Sequence, residues 1–171
     1  RKTIYAQVTY ADISGLESES AKSGFSGPLL NSLTQMDGLL LVVRAFADES
    51  VPHPLNSVDP ARDVQALEGE FLLNDMIAVE RKLERLKEDG RKGILKDKAL
   101  AAREEEFFTR LHAALSADTP LRDLDLKPDE RKLLSGYGLL TDKPALVVIN
   151  TSEGQPDRSG QIQVAHRGSA V

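Results

Sequence analysis

Hydrophobic positions along the chain change period three times, and each change predicts a different element. From Ile4 to Tyr10 apolar and polar residues alternate, with Ile4, Ala6, Val8 and Tyr10 on one face and Tyr5, Gln7 and Thr9 on the other, which predicts a strand. Leu29, Leu30, Leu33 and Met36 predict a short amphipathic helix opened by Pro28 and stopped at Asp37-Gly38. Leu39 to Phe46 is a continuous apolar run of strand length, the pattern of a parallel strand buried on both faces. Strand, crossover helix and buried strand are half of a doubly wound α/β sheet.

The period then lengthens. After a proline-rich loop, Leu72, Met76, Val79, Leu83 and Leu86 step by fours and threes, a coiled-coil seam. Asp89-Gly90 and Gly93 predict a turn, and a second helix from about Lys96 to Ala117 returns with Leu100, Phe107, Leu111 and Ala114 on its seam. About 25 outgoing helical residues predict an antiparallel hairpin projecting roughly 40 Å. The chain then returns to the sheet. Asp129 to Leu134 reads as a helix, Ala145 to Ile149 as another buried strand ending on Asn150, Gln161 to His166 as a helix remnant and Ser169 to Val171 as the start of a further strand. Residues 1–60 and 118–171 therefore read as one α/β core, with 61–117 as an inserted antiparallel α-helical coiled-coil hairpin.

Composition narrows the chemistry. The 171 residues contain no Cys and no Trp, so disulfide scaffolds and thiolate metal sites are excluded. No apolar run approaches membrane-spanning length, which makes the cytoplasm the expected compartment and leaves no membrane role. A net charge of −5 argues against indiscriminate nucleic-acid binding. His53, His112 and His166 are isolated in sequence and make no metal-ligand spacing. Lys87, Arg91, Lys92 and Lys96 gather at the hairpin tip, where a contact to RNA and ordinary solubility are equally good readings.

The chemistry-bearing stretch is Asp12-Ile13-Ser14-Gly15 with Leu16, at the end of the first predicted strand. An aspartate delivered into a glycine turn suits a carboxylate that reaches Mg²⁺ and a backbone N–H that meets a terminal phosphate. Ordinary turn chemistry explains the same residues. Two function classes stay open on the residues alone, a nucleotide-hydrolysing switch and a non-catalytic helical-hairpin binding module.

Taken in order, Asp12 to Leu16, Val42 to Phe46, Val58 to Met76, Leu121 to Glu130 and Leu139 to Glu153 resemble the YchF and Obg-like ATPases, a family of P-loop nucleotidases. The resemblance implies a P-loop NTPase-like, mostly parallel sheet carrying an inserted hairpin, hydrolysis of ATP (or GTP) with Mg²⁺, and action with the ribosome or translation machinery. It implies that Asp12 reaches Mg²⁺ through water, that Gly15 faces the γ-phosphate, and that Leu16 stands where related enzymes keep a water-orienting glutamine. It also implies that Asn150 and Glu153 read the base and that the tip cations Lys87, Arg91, Lys92 and Lys96 meet ribosome or RNA. The longer reach of Glu153 compared with an aspartate loosens the two-donor contact to guanine, which favours ATP over GTP. The family's glycine-rich switch appears here as Gly24-Phe25-Ser26-Gly27-Pro28, and no Gly-x-x-x-x-Gly-Lys-Ser/Thr occurs in these residues.

Overall fold

The computed structural model describes residues 5–13, 25, 27–94, 97–156, 160, 162 and 169–170. Helix α1 (Gly27–Thr34) leads into strand β1 (Leu39–Arg44). Helix α2 (Pro60–Lys92) and helix α3 (Lys98–Ser116) form the hairpin. A single 3₁₀ turn (Leu121–Asp123) and helix α4 (Pro128–Leu134) precede β2 (Ala145–Asn150), and β3 (Ser169–Ala170) closes the described sheet. The strand order is β1-β2-β3, with both pairings parallel. Leu39 pairs with Ala145 and Arg44 with Asn150, so the two longer strands end level. The fold is α/β with a long helical insertion between neighbouring parallel strands.

Local chemistry sets the helix ends. Asp59 accepts from the Arg62 amide at 3.1 Å, and Pro60 occupies the first turn, where no amide hydrogen is needed. At the other end Gly93 takes φ +68°, and the Ile94 amide closes on the Asp89 carbonyl at 3.1 Å. Asp97 opens α3 by accepting from the Ala99 and Leu100 amides at 2.9 and 3.0 Å. The 33 residues of α2 make a rod about 50 Å long.

Two apolar clusters divide that rod. Val64 and Phe71, from its first third, pack with Leu33, Leu39, Leu41, Val43, Leu140 and Val147 beneath the sheet. Val79 packs with Phe107, Phe108, Leu111 and Leu115 across the hairpin and with Leu121, Leu126, Leu134 and Leu139 at its base. Antiparallel packing is fixed by Lys82 Nζ to Glu104 Oε2 at 2.7 Å and His112 Nε2 to Glu80 Oε1 at 3.1 Å. Arg103 pairs with Asp129 and ties α3 to α4.

Four sequence expectations are corrected. Residues 5–10 form no strand and are exposed, because alternation makes a strand only where a neighbouring strand supplies ladder hydrogen bonds, and no described residue supplies them. Strands β1 and β2 are covered on one face instead of two. Leu40 and Val42 are 52% and 62% exposed while Leu39, Leu41 and Val43 are buried, since the described helices pack against a single side. Leu100 is exposed, and the α3 seam runs instead through Phe107, Phe108, Leu111 and Leu115. Finally, Asp89-Gly90, read as a turn, lies inside α2, which continues to Lys92 and stops at Gly93, where the backbone turns left-handed. Phe25 lies 5.6 Å from Phe71, ring centre to ring centre, against the sheet core. Most of 161–166 lies outside the described residues.

Candidate functional site

Parallel strands present all their carboxyl ends to one side, which is where open α/β sheets bind ligands. Here those ends are Arg44 and Asn150, and the Ala45 amide donates to the Asn150 carbonyl at 2.7 Å, carrying the alignment one residue past β1. With its backbone held, Asn150 is exposed. Glu153 follows in a turn closed by the Gln155 amide on the Ser152 carbonyl at 3.2 Å, with Gly154 at φ +76°. Its carboxylate is exposed on the same loop as Asn150.

Asp12 is exposed, and its side chain makes no hydrogen bond to any described residue. Its neighbour Ile13 is half-buried against the sheet core, the same cluster that Ile149 packs on immediately before Asn150. Gly15, Leu16 and Lys96 lie outside the described residues. Lys87, Arg91 and Lys92 are exposed at the hairpin tip, and Lys92 pairs with Glu88 at 3.2 Å. From Phe71, in the sheet core, to Lys92 is about 30 Å along the helix axis, so the tip cations and the strand ends are separate places.

Beyond β1 the chain is anchored by a group that sequence reading passed over. Arg44 donates from Nε to the Phe46 carbonyl at 2.9 Å, and from its two terminal nitrogens to the Val51 and Asp48 carbonyls at 2.7 and 3.0 Å. Its guanidinium also lies 4.7 Å from the Phe46 ring centre. Hydrogen bonds from the Ser50 hydroxyl and amide hold the Asp48 carboxyl below its ordinary value.

The same loop brings His53 to the start of α2. The Leu55 amide donates to His53 Nδ1 at 3.2 Å, which leaves the proton of the neutral ring on Nε2, and Nε2 lies 3.0 Å from Asp63 Oδ2. Arg62 grips the other oxygen, Asp63 Oδ1, from Nε at 3.0 Å and from a terminal nitrogen at 2.8 Å, and reaches Ser57 Oγ at 2.7 Å. His53 and Asp63 are mostly buried. Their separation by ten positions, across a loop, gave no spacing signal.

Asp75 is the other group the sequence concealed. At 2% exposure it accepts from the Leu140 amide at 2.8 Å, the Thr141 amide at 2.7 Å and the Thr141 hydroxyl at 2.6 Å. Burial pushes its carboxyl up to about 6, against the opposing pull of these donors. Thr141 Oγ1 in turn accepts from the Leu121 amide at 3.2 Å, and Arg122 meets Glu68 at 2.7 Å beside it. The hairpin is thus fastened to the segment that enters β2.

No three His, Cys, Asp or Glu side chains gather as a metal site among the described residues. A nucleotide-bound Mg²⁺ does not require such a cluster, because it keeps several waters and takes one or two carboxylates together with phosphate oxygens. The exposed carboxylate of Asp12, which no described residue engages, suits that arrangement, and the phosphate cradle has no counterpart in the 171 residues. No described helix is long and apolar enough to cross a membrane.

No family model matches the chain. Among curated proteins it is 33% identical over 167 residues to the ribosome-binding ATPase YchF of Bacillus subtilis, covering 96% of this chain and 44% of that protein. It is 31% identical over 154 residues to Obg-like ATPase 1 of Oryza sativa subsp. indica, covering 90% of this chain and 38% of that protein. Among solved structures, the YchF GTPase of Schizosaccharomyces pombe aligns with a TM-score of 0.66 and 28% identity, over 82% of this chain and 37% of that one. The chain therefore spans less than half the length of the relatives it matches.

Proposed function

Because this chain is a segment of the YchF and Obg-like ATPase family, we propose that it supplies the Mg²⁺-facing, base-reading and hairpin-bearing parts of a nucleotide-hydrolysing switch that acts with the ribosome. The observation that carries this is the 33% identity over 96% of the chain to a protein named as a ribosome-binding ATPase. The level carboxyl ends of β1 and β2, with Asn150 and Glu153 exposed beyond them, support it.

In this reading each residue has a stated task. Asp12 accepts hydrogen bonds from the water shell of Mg²⁺, and the Gly15 amide donates to the terminal phosphate. Leu16 adds no polar group, so the attacking water is oriented without a side chain at that position. Asn150 and Glu153 hydrogen-bond the base, with the longer carboxylate favouring adenine over guanine. Mg²⁺, when bound with ATP (or GTP), neutralises charge on the phosphates and polarises the transferred group. Lys87, Arg91, Lys92 and Lys96 form the surface that meets the ribosome or its RNA, away from the chemistry.

The test begins with the coding sequence upstream of Arg1. A Gly-x-x-x-x-Gly-Lys-Ser/Thr motif there, together with Mg²⁺-dependent ATP turnover by the full-length protein, is the expected result. Lack of both would leave a non-catalytic hairpin binding module.

A further inference from the structure

Nearer the tip the hairpin seam changes character. Its base is filled by Phe107, Phe108, Leu111 and Leu115, but Leu86 is the last buried side chain of α2, and beyond it the facing positions are Gly90, Gly93, Ala101 and Ala102. These are too small to fill the space between the helices. A cleft of about 670 Å³ results, with Leu86 and the two alanines among its apolar lining and Lys87, Arg91 and Lys98 around it, and with Glu105 the one carboxylate among the described lining residues.

The turn between the two helices is locally basic. Residues 85–98 carry six Lys and Arg against three Asp and Glu, on a chain whose net charge is −5. Two of those cations are already held, Lys92 by Glu88 at 3.2 Å and Arg85 by Asp89 at 3.9 Å. Lys87, Arg91 and Lys98 pair with no described residue. Ile94 and Leu100 are exposed on the same end of the hairpin, at 61% and 50%.

We infer that this cleft binds an acidic peptide segment anchored by aliphatic side chains, a proposal that rests on the ribosome reading above and names the class of partner met there. An aliphatic anchor fits the apolar lining, and flanking carboxylates fit the cations that no described residue pairs. RNA fits less well. Single-stranded RNA is read by stacking on aromatic side chains and through side-chain amides and hydroxyls, and none of the described lining residues carries these groups.

Fluorescence anisotropy on the full-length protein tests this with a labelled peptide of about ten residues alternating Leu with Glu. The comparison probes are its Leu→Ala counterpart and a uridine oligonucleotide. Saturable binding of the leucine peptide, weaker by roughly tenfold or more for the alanine peptide, is expected from the lost aliphatic burial. Lys87→Glu with Arg91→Glu abolishes it, and Ala101→Leu, which fills the cleft without altering charge, weakens it while helicity by circular dichroism is retained. Equal binding of both peptides, or tighter oligonucleotide binding that Ala101→Leu leaves unchanged, overturns the proposal. If Ala101→Leu fails to fold, the two peptides on the unaltered chain decide. Ribosome pelleting by the full-length protein separates the two readings. Pelleting lost in the double charge variant without peptide binding retains the ribosome contact and rejects the peptide cleft, whereas peptide binding with unchanged pelleting supports the cleft and removes it from the ribosome contact.

Discussion

Asp75 on helix α2 and Thr141 ahead of strand β2 are joined twice, the Thr141 amide and hydroxyl both donating to Asp75 Oδ2, at 2.7 and 2.6 Å. The pair closes a sequence separation of 66 residues and lies almost wholly out of water. It fixes where the hairpin leaves the sheet core, and so the relation between the tip and the strand that ends at Asn150.

Asp75→Asn tests that joint through pH. Burial raises the folded carboxyl to about 6 from 3.8, so between these values the folded state holds more protons than the unfolded one, and stability from this group falls as pH rises. Its contribution is fully present below pH 3.8 and lost as pH passes through about 6, an effect on the order of 3 kcal/mol. Asp75→Asn presents an amide N–H₂ to backbone donors and should cost about 2–3 kcal/mol. The difference between wild type and variant, from urea unfolding at a series of pH values, should be larger at pH 4 than at pH 7. A difference that does not change with pH would remove Asp75 as the titrating group.

Gly138 tests a close approach. Its φ is +63°, and an added Cβ would sit 2.8 Å from Thr34 Cβ, so a side chain there is both strained and in collision. Gly138→Ala should lower stability by more than about 1 kcal/mol, with part of the loss recovered in a Thr34→Gly background, which removes the colliding Cβ, and the backbone share remaining. Equal losses in both backgrounds would show that the contact with Thr34 carries none of the cost.

How legible these features were depends on how local their causes are. The hairpin was readable because Leu72, Met76, Val79, Leu83 and Leu86 repeat with a helical period and Gly93 sits between two such runs, whereas Gly90, read as part of the turn, is helical. The strands at 39–44 and 145–150 were readable as apolar runs of the right length. That Leu40 and Val42 would be exposed was not, because an apolar run does not state how many faces its neighbours cover. Asp75 looked like a polar position on a long helix, and its burial is decided by Leu140 and Thr141, far away in sequence. His53 was set aside as isolated for the same reason, since Asp63, itself held by Arg62, reaches it only after the 46–59 loop has folded back. For the candidate site, the motifs named Asn150 and Glu153, and the fold supplies the level strand ends that set them at one edge of the sheet.

Glu153→Asp in the full-length protein tests base choice. A shorter carboxylate restores the two-donor contact to guanine, so the ratio of GTP to ATP affinity should rise by about tenfold, within the 1–3 kcal/mol range of such contacts. Isothermal titration with both nucleotides reads this directly. The same ratio before and after would show that Glu153 does not touch the base.

The nucleotidase account rests most heavily on Asp12, whose exposed carboxylate no described residue engages. Steady-state ATP turnover of full-length Asp12→Asn, measured against Mg²⁺ concentration beside a thermal melt, is the most direct measurement. The account predicts turnover reduced about a hundredfold or more, because metal placement is lost, with the melting temperature unchanged since Asp12 packs against nothing described. Turnover equal to wild type at every Mg²⁺ concentration would contradict it.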